Sequence, residues 1–266
     1  MNNVLHALFV AWQDPVTRRF YPVGRLAQID GAGCEDGFEF VYIHAALEAE
    51  IAGFQPFLSF PDRHQVYRGK ELFPMFDNRL VSQKRADFPD YINQLGLLPA
   101  NATPISILSR SSGRRATDTL ELFSLPEFES EHGYRTWFWI DGLRHFPDSS
   151  VKRVTALELN ERLFPLWDIQ NRAVPNAIPL RTADMHILGY MPSYLLDDAH
   201  ALTQTCNFCE IYVDRVNPPP APVQQRLLCR LEACWPDGFA PYSSARYQPL
   251  SEDAATVQTP AFNSID

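Results

Sequence analysis

Three groups of side chains in this chain have the type and spacing to do chemistry. Arg114 and Arg115 stand side by side after Ser111-Ser112-Gly113, and Lys152 and Arg153 form a second cationic pair. Adjacent guanidiniums on a Ser/Gly loop suit phosphate or an acidic partner. Cys206, Cys209, Cys229 and Cys234 are four thiols that zinc would need to converge. Four residues separate the second pair, though, and the stretches around Cys209 and Cys229 read as packed strand, where cysteine behaves as a small hydrophobe. Structural thiols and no metal are therefore expected. The third group, Asp62-Arg63-His64, follows the strand-like Phe57-Leu58-Ser59-Phe60-Pro61 and is the best isolated acid and imidazole pair. It reads as a polar loop cluster. The chain has no His-Glu-Xaa-Xaa-His, no Gly-Xaa-Ser-Xaa-Gly elbow and no clustered carboxylates for a catalytic metal, so neither an enzyme nor a cofactor is expected.

At 266 residues the chain is long enough for one large or two ordinary domains. No apolar run approaches the ~20 residues of a membrane helix, and the first residues lack a basic start followed by an apolar core. The expectation is a cytoplasmic protein without a membrane partner. Five cysteines, an odd number, then argue for reduced thiols. The formal charge of −9 opposes non-specific nucleic-acid binding. Its distribution is uneven: residues 1–100 carry 9 Lys/Arg against 12 Asp/Glu, 101–181 carry 10 against 10, and 182–266 carry 4 against 10. Any nucleic-acid surface belongs to the middle third, as a local pocket rather than a basic face.

The elements that must position these groups begin with a hairpin. Val4 to Trp12 is β-prone, Gln13-Asp14-Pro15-Val16-Thr17 supplies a turn, and Arg19 to Ala27 returns. Phe38 to Tyr42 alternates as a third strand, His44 to Gly53 reads as a short helix, and helical spacing resumes over Glu71 to Leu80 and Phe88 to Leu95. Val23-Gly24-Arg25-Leu26, Phe40-Val41-Tyr42 and Phe76-Asp77-Asn78-Arg79-Leu80 resemble the N-terminal subdomain of HipA-type proteins, a small β-barrel. That family's kinase core does not follow: there is no Gly-rich phosphate loop, no His-Arg-Asp and no Asp-Phe-Gly. In the family this part touches a DNA-binding partner, so the resemblance implies a protein-docking role for residues 1–100.

Leu98-Pro99-Ala100-Asn101-Ala102-Thr103-Pro104 is the expected boundary, with a second module over 101–250 and a disordered tail over 251–266. Three blocks of the second module resemble a HIRAN domain: Trp137 to Arg144, Asn171 to Ile178, and Ile187 to Leu195. The resemblance implies a small β-barrel that recognises DNA ends, with Arg144, His145 and Phe146 facing the nucleic acid. A guanidinium for phosphate and a ring for a base are what a single-stranded end needs. The family usually reads Asn-Pro-Xaa-Asp-Xaa-Asn-Ala-Ile, and here Arg172 replaces the Pro and Val174 the Asp. Valine accepts no hydrogen bond from a terminal hydroxyl. Asn171 and Asn176 remain, Arg172 offers a phosphate contact, and Tyr190 in Gly189-Tyr190-Met191-Pro192 flanks the pocket.

The expected fold is thus α+β, two small β-barrel modules with flanking short helices. The expected function is non-catalytic: a module for single-stranded or end-containing DNA joined to a protein-docking module, in a toxin–antitoxin, repair or phage-defence setting. The alternative is a regulatory protein-interaction subunit that has lost DNA binding.

Overall fold

The structure, a computed structural model, describes residues 3–30, 37–115, 118–129, 133–171 and 174–256. It is mixed α/β, with two antiparallel sheets and six α-helices among the described residues, none long and apolar enough to cross a membrane. The chain divides into two compact units, residues 1–125 with 240–266, and residues 126–239.

The first unit contains strands β1 (Asn3–Gln13), β2 (Phe20–Asp30) and β3 (Gly37–Tyr42), helix α1 (Ala45–Ile51), strand β4 (Tyr67–Gly69), helices α2 (Pro74–Asp77), α3 (Phe88–Gln94) and α4 (Pro104–Ser111), and strand β5 (Leu120–Ser124). The sheet order is β4-β3-β2-β1-β5. The β1–β2 turn forms where Asp14 stands because its carboxylate accepts the Val16 and Thr17 N–H groups at 2.9 and 3.2 Å. The Thr17 hydroxyl donates to the same carboxylate and holds its pKa below the usual range.

Period-2 alternation sends Leu8, Val10, Leu26, Phe40 and Tyr42 into one aromatic-rich core, where Phe40 stacks on Phe60 at 4.2 Å. Gly24 has a specific reason: a Cβ there would lie 2.6 Å from the Phe40 ring. The opposite face is buried as well, around Ala7, Ala27, Ile29 and Ala255.

The helix expected over Glu71–Leu80 is only the single turn α2, beginning at Pro74. Segment 98–104 lies inside this unit, because β5 beyond it pairs with β1 at Val10↔Leu122. Residues 251–256, read from sequence as the start of a disordered tail, are held down to Ala255, which is 6% exposed. Its N–H is bonded to Glu39 and its C=O to Arg25. Residues 257–266 lie outside the described residues.

The second unit contains strands β6 (Glu127–Glu129) and β7 (Gly133–Trp139), helix α5 (Asp148–Thr155), strands β8 (Arg162–Pro165), β9 (Pro179–Arg181) and β10 (Ile187–Tyr190), helix α6 (Leu196–Thr205), and strands β11 (Cys209–Val216) and β12 (Leu227–Ala233). Its order is β10-β9-β8-β11-β12-β7-β6. Just past β7, Asp141 pairs with Tyr190 of β10, the strand at the other end of that order. Both backbone bonds are made, at 2.9 and 2.8 Å. Gly189 permits the approach, since a Cβ there would sit 2.5 Å from the Asp141 carbonyl oxygen. Helix α6 buries Leu196, Ala199 and Leu202, which the 3.6-residue period places on one face.

The reduced-thiol expectation is corrected here: Cys206 and Cys234 form a disulfide, with Cα atoms 5.5 Å apart. Each stands within a residue or two of an element's end, and the Cys209↔Ala233 register brings the two ends together. Cys229 is fully buried and Cys209 half-buried, and burial raises both thiol pKa values.

Candidate nucleic-acid interface

One corner of the second unit gathers several of the residues singled out from sequence. Gly142, in the left-handed region at φ 78°, turns the chain after β7 into a 3₁₀ turn over Leu143–His145. Leu143 is buried and anchors the turn, which leaves Arg144 and His145 exposed. The Arg144 Nε–H donates to His145 Nε2 at 3.0 Å. Phe146 is half-buried against Tyr190, with ring centroids 5.8 Å apart and planes at 45°.

Tyr190 is fixed from its backbone by Asp141, and its hydroxyl reaches toward Asp168 Oδ2 at 3.5 Å, the long limit of a hydrogen bond. The same carboxylate oxygen accepts from Asn171 Nδ2 at 3.0 Å, and Asn171 Oδ1 accepts the Val174 N–H at 2.9 Å. Partial burial, then the Asp168 charge, raises the Tyr190 pKa. Asn171 thus organises its own loop while presenting it to Tyr190.

Asn176 has a different part. At φ 56° it makes the turn into the buried pair Ala177 and Ile178, and its carbonyl oxygen lies 3.2 Å from His200 Nε2. His200 also stacks on Trp167, with centroids 4.2 Å apart and planes at 22°, and Trp167 is half exposed. Arg172 lies outside the described residues.

The paired cations behave unequally. Lys152 is exposed on α5, whereas Arg153 donates to both carboxylate oxygens of Asp184, at 3.0 and 3.1 Å, and to Glu161. Hydrogen bonds from Thr182 and Arg153 take the Asp184 pKa from the usual 3.8 to about 2. Arg114 and Arg115 belong to the first unit, where Arg114 pairs with the buried Glu121 at 2.7 Å and Arg115 is exposed.

Also in the first unit, an open cleft of about 620 Å³ is lined by Glu50, Phe54, Pro56, Pro61, Asp62 and His64, among others. The Asp62 carboxylate accepts the His64 backbone N–H at 2.8 Å, and Arg63 is paired with Glu50. That use of Asp62 is a turn, not an acid oriented on an imidazole. Among the described residues no cluster of three or more His, Cys, Asp or Glu side chains can hold a metal.

Sequence reasoning missed Asp168 and Trp167, the carboxylate that links Asn171 to Tyr190 and the exposed ring beside it in the chain. The available signal was a large aromatic in the otherwise loop-like run Trp167-Asp168-Ile169-Gln170-Asn171.

The chain matches no family model and no curated protein. Among solved structures, a crystal structure of a protein from Lactobacillus plantarum aligns with 37% of this chain and 98% of its own, at 21% identity and a TM-score of 0.26. Agreement at that level carries no argument about fold or role.

Proposed function

We propose that this chain is a non-catalytic, DNA-associated binding protein, in which the corner around Tyr190 grips a nucleic-acid end and the first unit docks a protein. One observation carries the reading: Phe146, Tyr190, Asn171 and Asp168 meet in direct contacts, with Arg144 and His145 on the turn that delivers Phe146. An exposed guanidinium beside half-buried rings combines phosphate contact with base stacking. The Asp141–Tyr190 pairing joins the two ends of the β10-to-β7 run, which supports a HIRAN-like small barrel over 133–233. The HipA-like barrel over the first strands and the cytoplasmic setting belong to the same reading. The Cys206–Cys234 bond runs against that setting, since reducing compartments open such bridges.

A second reading has its own support. Arg153 and Arg114 are neutralised by carboxylates, and Asp168 puts an anion inside the corner. These features favour a regulatory protein-interaction subunit that does not hold DNA.

Retention of single-stranded oligonucleotides with 3′-hydroxyl or 3′-phosphate ends, titrated with salt, separates the readings. Arg144→Ala should weaken binding and reduce the salt slope by about 1, and Phe146→Ala should weaken binding without changing the slope. No retention by the wild-type chain at low salt discards the DNA reading and leaves the second.

A further inference from the structure

Two charged side chains of the first unit are buried where the DNA reading makes no use of them. Arg25 on β2 is 4% exposed and Glu39 on β3 is fully buried. They sit on the face opposite the aromatic core, because Leu26 and Phe40 between them in the alternation point the other way. An ion pair buried this deeply is a poor stability device, since lost hydration offsets the attraction and a well-packed apolar pair would serve as well.

What these groups do is read a peptide backbone. Glu39 Oε1 accepts the Ala255 N–H at 2.9 Å, and Arg25 Nη2 donates to the carbonyl of that same residue at 2.5 Å. Arg68 pairs with the other Glu39 oxygen at 2.9 Å and donates to the Asp253 carbonyl at 2.7 Å. The Ala255 methyl packs with Ala7, Ala27 and Ile29, a cluster of mostly small side chains. Arg25 Nε is a further buried donor, with no hydrogen-bond partner among the described residues. The recognition is therefore carried by main-chain groups and one methyl, which a segment that turns just before a small residue can supply. The charges also make an empty slot tolerable: once uncovered, a guanidinium and a carboxylate are rehydrated, whereas an apolar slot would expose surface to water.

We propose that Arg25, Glu39 and Arg68 form a peptide-reading slot, closed here by the chain's own Asp253-Ala254-Ala255, whose ligand in trans is an acidic segment from a partner protein that turns as this one does and carries a small side chain. Two guanidiniums against one carboxylate favour an acidic ligand, and the resident segment Ser251-Glu252-Asp253-Ala254-Ala255 has that character. The inference rests on the docking reading of the first unit and names its ligand class.

Hydrogen exchange on the wild-type chain gives the first test. A slot that opens on its own lets the Ala255 amide exchange at least about tenfold faster than the Leu26 and Phe40 amides, through local rather than global opening. Exchange of all three only with global unfolding makes residues 253–255 a permanent part of the fold and overturns the proposal.

The second test uses fluorescence anisotropy with an end-blocked, labelled Ser-Glu-Asp-Ala-Ala-Thr peptide and full-length protein. Ala255→Trp should expel the resident segment and raise peptide affinity by about tenfold or more, as expected when a competing occupant is removed. Adding Glu39→Gln should abolish the gain. A folded Ala255→Trp chain that binds no better than wild type overturns the slot, and if that variant does not fold the exchange result decides. A partner that co-purifies undiminished by saturating peptide overturns the slot while leaving the docking reading in place.

Discussion

The two sheets use the same alternation to opposite ends. In the first unit both faces of the sheet are covered, so the alternate positions Arg25 and Glu39 are carried inside, where they must find partners in Arg68 and a returning peptide. In the second unit Leu227, Cys229, Leu231 and Ala233 of β12 are buried, while the alternate residues Arg230 and Glu232 keep contact with water. There they form rungs with Asp214 and Arg135 on the neighbouring strands, at 2.9 and 3.0 Å. An identical ion-pair chemistry is thus a buried recognition device in one sheet and a partly buried ladder that still reaches water in the other. What differs is whether a later segment of chain comes back over the polar face.

That difference can be broken most sharply with matched deletions. Glu39→Ala leaves the buried Arg25 uncompensated and should cost about 3–5 kcal/mol in urea unfolding, whereas Glu232→Ala in the ladder should cost only about 1 kcal/mol. Equal losses would mean that the two environments are not distinct.

Reduction of the Cys206–Cys234 bond, or Cys206→Ser, should come next. The bridge closes a loop 28 residues apart in sequence. By loop entropy it contributes about 3–4 kcal/mol to the second unit. The first unit should be indifferent, which probe-specific unfolding by intrinsic fluorescence can show. Mass spectrometry of chain drawn unreduced from its own cells tests the cytoplasmic reading at the same time.

A smaller and more local effect is expected at Gly189, where φ is 155° and a Cβ would strike the Asp141 carbonyl. Gly189→Ala should cost about 1–3 kcal/mol. It should also part Tyr190 from Asp141 and lower oligonucleotide retention, with the loss visible as altered Tyr190 ring resonances. The mildest test is of pH. Asp184 has its pKa lowered to about 2. Its folded value lies below its unfolded one, so its contribution is complete above about pH 4 and is lost as the pH falls toward 2. Carboxyl carbon NMR should place its midpoint near 2. Arg153→Ala should move it back upward.

Local features of the first unit were readable in advance because their causes are local. The Asp14 turn, the alternating β3, the helix ending at Gly53 and the helix ending at Gly96 follow from residues a few positions apart. Both glycines have positive φ, as those chain reversals require. The Glu71–Leu80 pattern misled because its apolar residues suit a helical face while Pro74 removes a backbone donor within it, and only one turn forms. At the corner site, Phe146 and Tyr190 were both named from sequence, and their contact depends on a pairing between Asp141 and Tyr190 that no local spacing encodes.

The amino-acid order by itself determined the first hairpin and its turn, the helices that stop at Gly53 and Gly96, and which side chains have the chemistry for phosphate, base or thiol bonds. These follow from backbone sterics and periodicity, which act over a few residues. Tertiary structure alone decided that Cys206 meets Cys234, that Arg153 is taken by Asp184, that Asp168 bridges Asn171 and Tyr190, and that Ala255 closes over Glu39. Each depends on strand register and on where a distant segment returns, and the competition among such long-range pairings is settled by burial of the whole surface rather than by any short stretch of chain.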